Sequence, residues 1–224
     1  MKPEIKAFIF DVYGTLFDVH SVKEKCDDIF PGKGLSISQS WRNKQLNYFF
    51  LRQLMGRYEN FEVVTREALR YAIAQNHEDW TAEIEDKLIT AYSELALYQE
   101  VKKVLAELKN KKAIILSNGT NHMLQSVVKN AGINHFFHSI LSIDDVKQYK
   151  PTAAAYNYAL IQLGFQREEV LFMSSNGWDI SGAKNFGFHT AWINRSNAPS
   201  EKLGLAPDSI YEDITGILEW KSQE

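Results

Sequence analysis

Apolar positions recur along this chain in two rhythms, and the change between them divides it. Ile5 to Phe10 is a short apolar run, preceded by charge and followed by a turn at Gly14. Such a run reads as a strand buried on both faces, as inside a parallel sheet. From about Val19 to Leu97 the rhythm is helical and no strand is expected. Trp41, Leu46, Phe49, Phe50 and Leu54 mark a helix over 40–56, Phe61 to Ile73 a second over 61–75, and Ile84, Leu88, Ala91 and Leu95 a third. Phe30-Pro31-Gly32-Lys33-Gly34 reads as a loop between a first short helix and the long one.

Past Glu100 helix and strand alternate. Helical stripes at Val101–Leu108, Leu124–Ala131 and Tyr156–Leu163 lie between strands at Ala113–Leu116, Ser139–Ser142 and Val170–Met173; a helix running to Phe186 and a strand at Thr190–Ile193 follow. The pattern predicts an α/β fold, a Rossmann-like parallel sheet with helices on both faces. Its core, 1–17 and 98–224, is interrupted after the first strand by an all-helical subdomain, 18–97.

Composition narrows the function classes. With 224 residues, 45% of them hydrophobic, the chain has the material for a large core. A net charge of −3 gives no electrostatic case for nucleic acid or an anionic membrane. The start, Met1-Lys2-Pro3-Glu4, has no signal-peptide pattern, and no apolar run is long enough to span a bilayer, so the expected location is cytoplasmic. Cys26 is the single cysteine, which excludes an internal disulfide and argues against a cysteine-based metal site.

The chemistry-bearing residues fall at strand ends. Asp11-Val12-Tyr13-Gly14-Thr15, Ser117-Asn118-Gly119, Lys150-Pro151 and Ser174-Ser175-Asn176-Gly177-Trp178-Asp179 occupy loops on one predicted edge of the sheet. Parallel strands put their carboxyl ends on one side, where open α/β sheets bind ligands. There a lysine ammonium favours the ionised form of a carboxylate nucleophile. Ser117 and the N–H groups of its turn suit an anionic part of a substrate. Each group has a plainer reading when taken singly. Asp11 caps a turn, Arg42 is a solvated charge, Trp178 and Phe61 are core aromatics, and Tyr156 is packing. His20, His122 and His189 show no metal-ligand spacing and read as structural.

Order and placement together make the chain resemble the haloacid dehalogenase superfamily, and within it the L-2-haloacid dehalogenases. The resemblance runs through Asp-Val-Tyr-Gly-Thr-Leu-Phe-Asp-Val-His-Ser-Val (11–22), Ser-Trp-Arg-Asn-Lys-Gln-Leu (40–46), Arg-Tyr-Glu-Asn-Phe (57–61), Ser-Asn-Gly (117–119) and Tyr-Lys-Pro (149–151). Ser-Ser-Asn-Gly-Trp-Asp (174–179) and Gly-Phe-His-Thr-Ala-Trp-Ile-Asn-Arg (187–195) complete it. The resemblance implies that 18–97 is a helical cap and that Asp11 attacks the halogen-bearing carbon. An aspartyl ester follows, and water hydrolyses it to the inverted hydroxy acid. By the same resemblance Thr15, Lys150, Ser174, Asn176 and Asp179 hold Asp11 and activate the water. Ser117 and the N–H groups of Val12 and Asn118 hold the substrate carboxylate, and Arg42, Asn118 and Trp178 cradle the halide. Tyr13, Leu46 and Phe61 form an apolar wall, with Tyr156 behind.

Tyr13 and Ser175 stand where the superfamily's phosphatases carry an acid and a magnesium ligand. A phosphoryl group needs that charge stabilisation and a halide does not. The expected substrate is a small 2-haloacid, with no metal and no cofactor. The expected assembly is a homodimer using the aromatic-rich helix 40–56. The alternatives are another hydrolase of the superfamily, acting on a small acid or phosphate ester, and a non-catalytic relative that binds small acids.

Overall fold

The computed structural model describes residues 4–221; residues 1–3, part of the start that shows no signal-peptide pattern, and 222–224 lie outside the described residues. Ala7–Phe10 forms β1, buried along its whole length. It is buried because it is a central strand. β4 (Lys112–Ser117) and β6 (Val170–Ser174) pair with it in parallel on either side, Phe8 lying opposite Ala113 and Leu171. β5 (Ser139–Ser142) lies outside β4, and β7 (His189–Ile193) and β8 (Ser209–Tyr211) lie outside β6. The sheet order β5-β4-β1-β6-β7-β8, counted among its own strands, is 3-2-1-4-5-6, all parallel. That is the doubly wound arrangement, whose winding reverses at the first strand and opens a crevice at its carboxyl end. α5 (Val101–Glu107), α6 (Asn121–Asn130), α7 (Ala153–Leu163) and α8 (Gly177–Phe186) alternate with the strands. The edge strand β8 is not among the strands read from the sequence. It is three residues long with Ile210 exposed, so it carries no apolar run to detect.

Between β2 (Phe17–Asp18) and β3 (Ala96–Leu97) the chain forms α1 (Lys23–Ile29), α2 (Gly34–Leu54), α3 (Phe61–Gln75) and α4 (Ala82–Tyr92). α2 packs chiefly on α3 and α1. It begins six residues before the expected start at 40, because the stripe continues through buried Ile37 and Ser38. Its first N–H, at Gly34, is taken up by the Asp27 carboxylate at 3.0 Å, a cap supplied from outside the helix. One expectation is corrected: β3 lies inside the stretch read as strand-free and pairs antiparallel with β2. Two residues per strand are too few for an alternating pattern to register. This short ladder ties the chain's exit from the sheet to its return.

Candidate active site

Asp11 is the first residue after β1 to turn out of the sheet, its N–H still bonded to the Met173 carbonyl at 2.9 Å. The chain reverses at Gly14, where φ is +89° and an added Cβ would lie 2.9 Å from Ser175 Oγ. Only glycine suits both demands. The reversal returns Thr15 to the carboxylate, and Thr15 Oγ1 donates to Asp11 Oδ2 at 3.0 Å while accepting from the Ser175 N–H at 2.8 Å. Asn176 Nδ2, at 3.1 Å, and Ser174 Oγ, at 3.4 Å, donate to the same oxygen. Lys150 Nζ takes the other oxygen, Oδ1, at 2.9 Å and bonds Asp179 Oδ2 at 2.6 Å and the Leu116 carbonyl at 3.1 Å.

Asp11, Lys150 and Asp179 thus form a buried triad of two carboxylates and one ammonium. Burial works against the Lys150 charge, but the two carboxylates outweigh it and raise its pKa. Burial pushes Asp179 up to about 6, against the pull of Lys150 and helped by the Asp11 charge. Tyr156 hydroxyl supports Asp179 from below, 2.8 Å from Oδ1 and 3.0 Å from its carbonyl oxygen. The excess negative charge is offset by neutral donors on Asp11 and by the position of Asp179 in the first turn of α8, the positive end of the helix dipole.

Beside the triad lies a small space lined by Asp11, Tyr13, Arg42, Leu46, Phe49, Phe61, Ser117, Asn118, Asn176 and Trp178, about 10 Å³ in volume. Arg42, Leu46 and Phe49 recur at i, i+4 and i+7 and so descend from one face of α2. Arg42 Nη1 donates to Gln45 Oε1 at 2.7 Å, and its Nη2 approaches Asn176 Oδ1 at 3.3 Å and the Tyr13 carbonyl at 3.5 Å. Trp178 meets Phe49 at a tilt and Phe50 edge-to-face, 5.6 and 5.1 Å between ring centres. On the sheet side Ser117 Oγ accepts from the Gly119 N–H at 3.3 Å, which leaves its own proton to donate. Asn118 Oδ1 accepts from the Lys150 N–H at 3.0 Å, which fixes the orientation of that side-chain amide. Among the described residues nothing takes up the backbone N–H of Val12 or Asn118. An added Cβ at Gly119 would stand 2.9 Å from the Tyr13 ring, so glycine is needed for Tyr13 to close this corner. A larger cavity of about 350 Å³ lies behind Tyr13, lined by Glu62, Arg66, Asp86 and His122 among others. It contains neither Asp11 nor Lys150, and the chemistry belongs to the small one.

The residues expected at the site lie in this cluster or touch it, and Tyr156 is held by Asp179 rather than by packing alone. Several further members escape a reading of the sequence. Phe49 and Gln45 share helical spacing with Arg42 and Leu46, a signal present in the sequence. Ser175 is conspicuous there only for what it replaces. Arg195 closes the 187–195 motif but has no role read there: its Nη2 bonds the Thr15 carbonyl at 2.9 Å and Glu100 at 2.6 Å, and its guanidinium lies 3.6 Å from the centre of the Tyr98 ring. The donor set does not fit the magnesium used by phosphatases of the superfamily that the sequence resembles. The ion takes oxygen ligands and carboxylate charge. Here positions 13 and 175 are tyrosine and serine, and the Lys150 ammonium already bridges Asp11 and Asp179.

The chain's matches to known proteins agree with this architecture. Residues 5–187 match the family model described as haloacid dehalogenase-like hydrolase. An (S)-2-haloacid dehalogenase of Pseudomonas sp. (strain YL) is 45% identical over 96% of this chain and 94% of its own length. Haloacetate dehalogenase H-2 of Moraxella sp. (strain B) is 42% identical over 96% of this chain and 97% of its own. The structure of the L-2-haloacid dehalogenase from Xanthobacter autotrophicus with chloropropionic acid covalently bound superposes with a TM-score of 0.88, at 38% identity, covering 96% of this chain and 98% of that one. With a doubly wound sheet, an aspartate at its switch point and a match over 5–187, this chain belongs to the haloacid dehalogenase-like hydrolases.

Proposed function

We propose that the protein hydrolyses small L-2-haloacids to D-2-hydroxyacids through an aspartyl ester on Asp11. The observation that carries this reading is the unequal dress of the Asp11 carboxylate. Oδ2 accepts from Thr15, Ser174 and Asn176, whereas Oδ1, among the described residues, accepts from Lys150 alone. Oδ1 therefore keeps a lone pair for attack, and Oδ2 becomes the ester carbonyl. In the first step Oδ1 bonds C2 in line with the carbon–halogen bond. That bond breaks, the halide leaves with its electron pair, and C2 inverts. Ser117 and the N–H groups of Val12 and Asn118 hold the substrate carboxylate, and Arg42, Asn118 and Trp178 receive the halide. In the second step water attacks the Asp11 carbonyl carbon and gives a proton to Asp179. The developing oxyanion on Oδ2 rests on donors already in place. The acyl–oxygen bond then breaks, the departing alkoxide takes the proton, and C2 is untouched, so a single inversion remains.

Tyr13 cannot serve as the acid an alkoxide leaving group needs, since burial raises its hydroxyl pKa well above the usual value. A halide needs no proton, which favours displacement at carbon over phosphate-ester hydrolysis. The relatives whose names specify haloacids support the substrate class. About 10 Å³ holds roughly one water, so substrate enters as the helices of 18–97 move relative to the core, 1–17 and 98–224. We assign 18–97 as the cap and the β2–β3 ladder as its hinge. We also assign a cytoplasmic homodimer. Its contact face would lie on helix 40–56: Trp41 and Phe49 turn inward, while Leu51, Leu54 and Met55 at the carboxyl end are exposed.

The test is halide release from L- and D-2-chloropropionate, with chiral analysis of the lactate formed. Release from the L form with D-lactate as product is expected. In one turnover in oxygen-18 water the product should carry unlabelled oxygen, taken from Asp11. Label in that first product would remove the ester from the scheme.

A further inference from the structure

Gln45 has no part in the proposed chemistry, yet it is fully buried in the helical insertion. A buried amide is costly unless its donors and acceptor are paired, and a leucine there would pack without that demand. Its pairing is directional. Oε1 accepts from Arg42 Nη1 at 2.7 Å and lies 3.2 Å from the Tyr92 hydroxyl, while Nε2 donates to Thr65 Oγ1 at 2.8 Å. Thr65 Oγ1 in turn donates to the Phe61 carbonyl at 2.6 Å. A carbonyl can only accept, so the Thr65 proton is committed to Phe61 and its oxygen must accept from Gln45. That commitment turns the amide so that its oxygen, not its nitrogen, faces Arg42. The backbone of Thr65 is itself held by Trp41, whose Nε1 donates to the Thr65 carbonyl at 2.8 Å. The acceptor for Arg42 is therefore set by the core of the insertion, before any ligand arrives.

Gln45 provides the short contact of the Arg42 guanidinium; those to Asn176 and the Tyr13 carbonyl, at 3.3 and 3.5 Å, are long and weak. An arginine held only by the latter is free to sweep several rotamers. We propose that Gln45 is a positioning residue: with Thr65 it locks the Arg42 fork in the orientation that receives the departing halide, and the lock is anchored on Phe61, which also walls the site. This rests on the proposed dehalogenation, but the geometry makes a claim about anion binding that needs no turnover.

The experiment pairs two readouts. Bromide is titrated against the intrinsic fluorescence of the protein, whose Trp178 lines the site, and halide release is followed in the first turnover of L-2-chloropropionate. Gln45→Leu should weaken bromide binding and slow first-turnover release, each by about ten- to a hundred-fold, the order expected when a charged group is misplaced by about an ångström. Hydrolysis of the ester, once formed, should keep its rate. Thr65→Val, which removes only the hydroxyl, should shift both in the same direction by less, and Thr65→Ser should restore them; this pair also decides the matter if Gln45→Leu does not fold. Ile73→Val, a buried change elsewhere in the insertion, should lower the melting temperature without moving bromide affinity. Bromide affinity within two-fold of wild type in folded Gln45→Leu or Thr65→Val overturns the inference. A wild-type protein that binds bromide but releases no halide, with binding still weakened in the variants, overturns the dehalogenase reading and leaves the positioning role standing. A wild-type protein with no bromide binding overturns both.

Discussion

Replacing Lys150 with methionine tests the buried triad directly, because it removes the one cation between two carboxylates. Lys150 is fully buried and makes charge-assisted bonds of 2.9 and 2.6 Å to Asp11 and Asp179. Breaking a buried pair by deleting one partner costs about 3–5 kcal/mol, since the remaining charge stays uncompensated. Two carboxylates are left here, so the upper end of that range is expected. For a chain of this size that lowers Tm by roughly 10–20 °C at about 2–4 °C per kcal/mol. Two close carboxylates cannot both stay ionised, so the pair retains a proton near neutral pH. The loss of an ionised nucleophile or base, with the electrostatic contact to the ester, should lower kcat by at least about 10²–10³. The double variant Lys150→Met/Asp179→Asn is the informative comparison. It removes the charge conflict and should regain most of the lost Tm while remaining inactive. Calorimetry and halide release, measured on wild type, both single variants and the double, give the full cycle. If the double variant is no more stable than Lys150→Met, or if Lys150→Met keeps kcat within ten-fold, the triad is not held as described.

The remaining predictions use different levers. With its carboxyl held up to about 6, Asp179 is a base only when ionised, so the rate of ester hydrolysis should be full above that value and fall as pH drops through about 6; a flat profile down to pH 4 contradicts the assignment of the base. Excess chelator should leave release from L-2-chloropropionate unchanged, and added magnesium should create no phosphatase activity on p-nitrophenyl phosphate, because Tyr13 and Ser175 supply no carboxylate to a divalent cation; magnesium-dependent phosphate release would favour the phosphatase reading. Leu54→Asp, at a position 84% exposed, should convert a dimer to a monomer in sedimentation at unchanged Tm; a wild-type monomer would show that this face has no partner copy.

Much of this protein was determined by its sequence alone. Ala7–Phe10 has no polar face and is too short for a buried helix, so it reads as a strand covered on both sides, with Asp11 at its carboxyl end. The same logic placed Ser117 and Ser174, and helical spacing put Arg42 and Leu46 on one face of α2. What the sequence left open were relations between distant segments. Nothing local to Arg195 indicates that it holds the carbonyl of Thr15, because that contact exists only where β7 ends beside the loop after β1. Gln45 reads as a polar interruption of a stripe, and only the packing of α3 and α4 against α2 supplies the partners, Thr65 and Tyr92, that offset the cost of burying it. The two-residue ladder of β2 and β3 and the edge strand β8 are too short to carry a period, and backbone pairing alone decides them. Periodicity reports the environment of one segment; direction in a hydrogen-bond chain and charge balance in a buried triad depend on several segments at once, and only the tertiary structure brings those together.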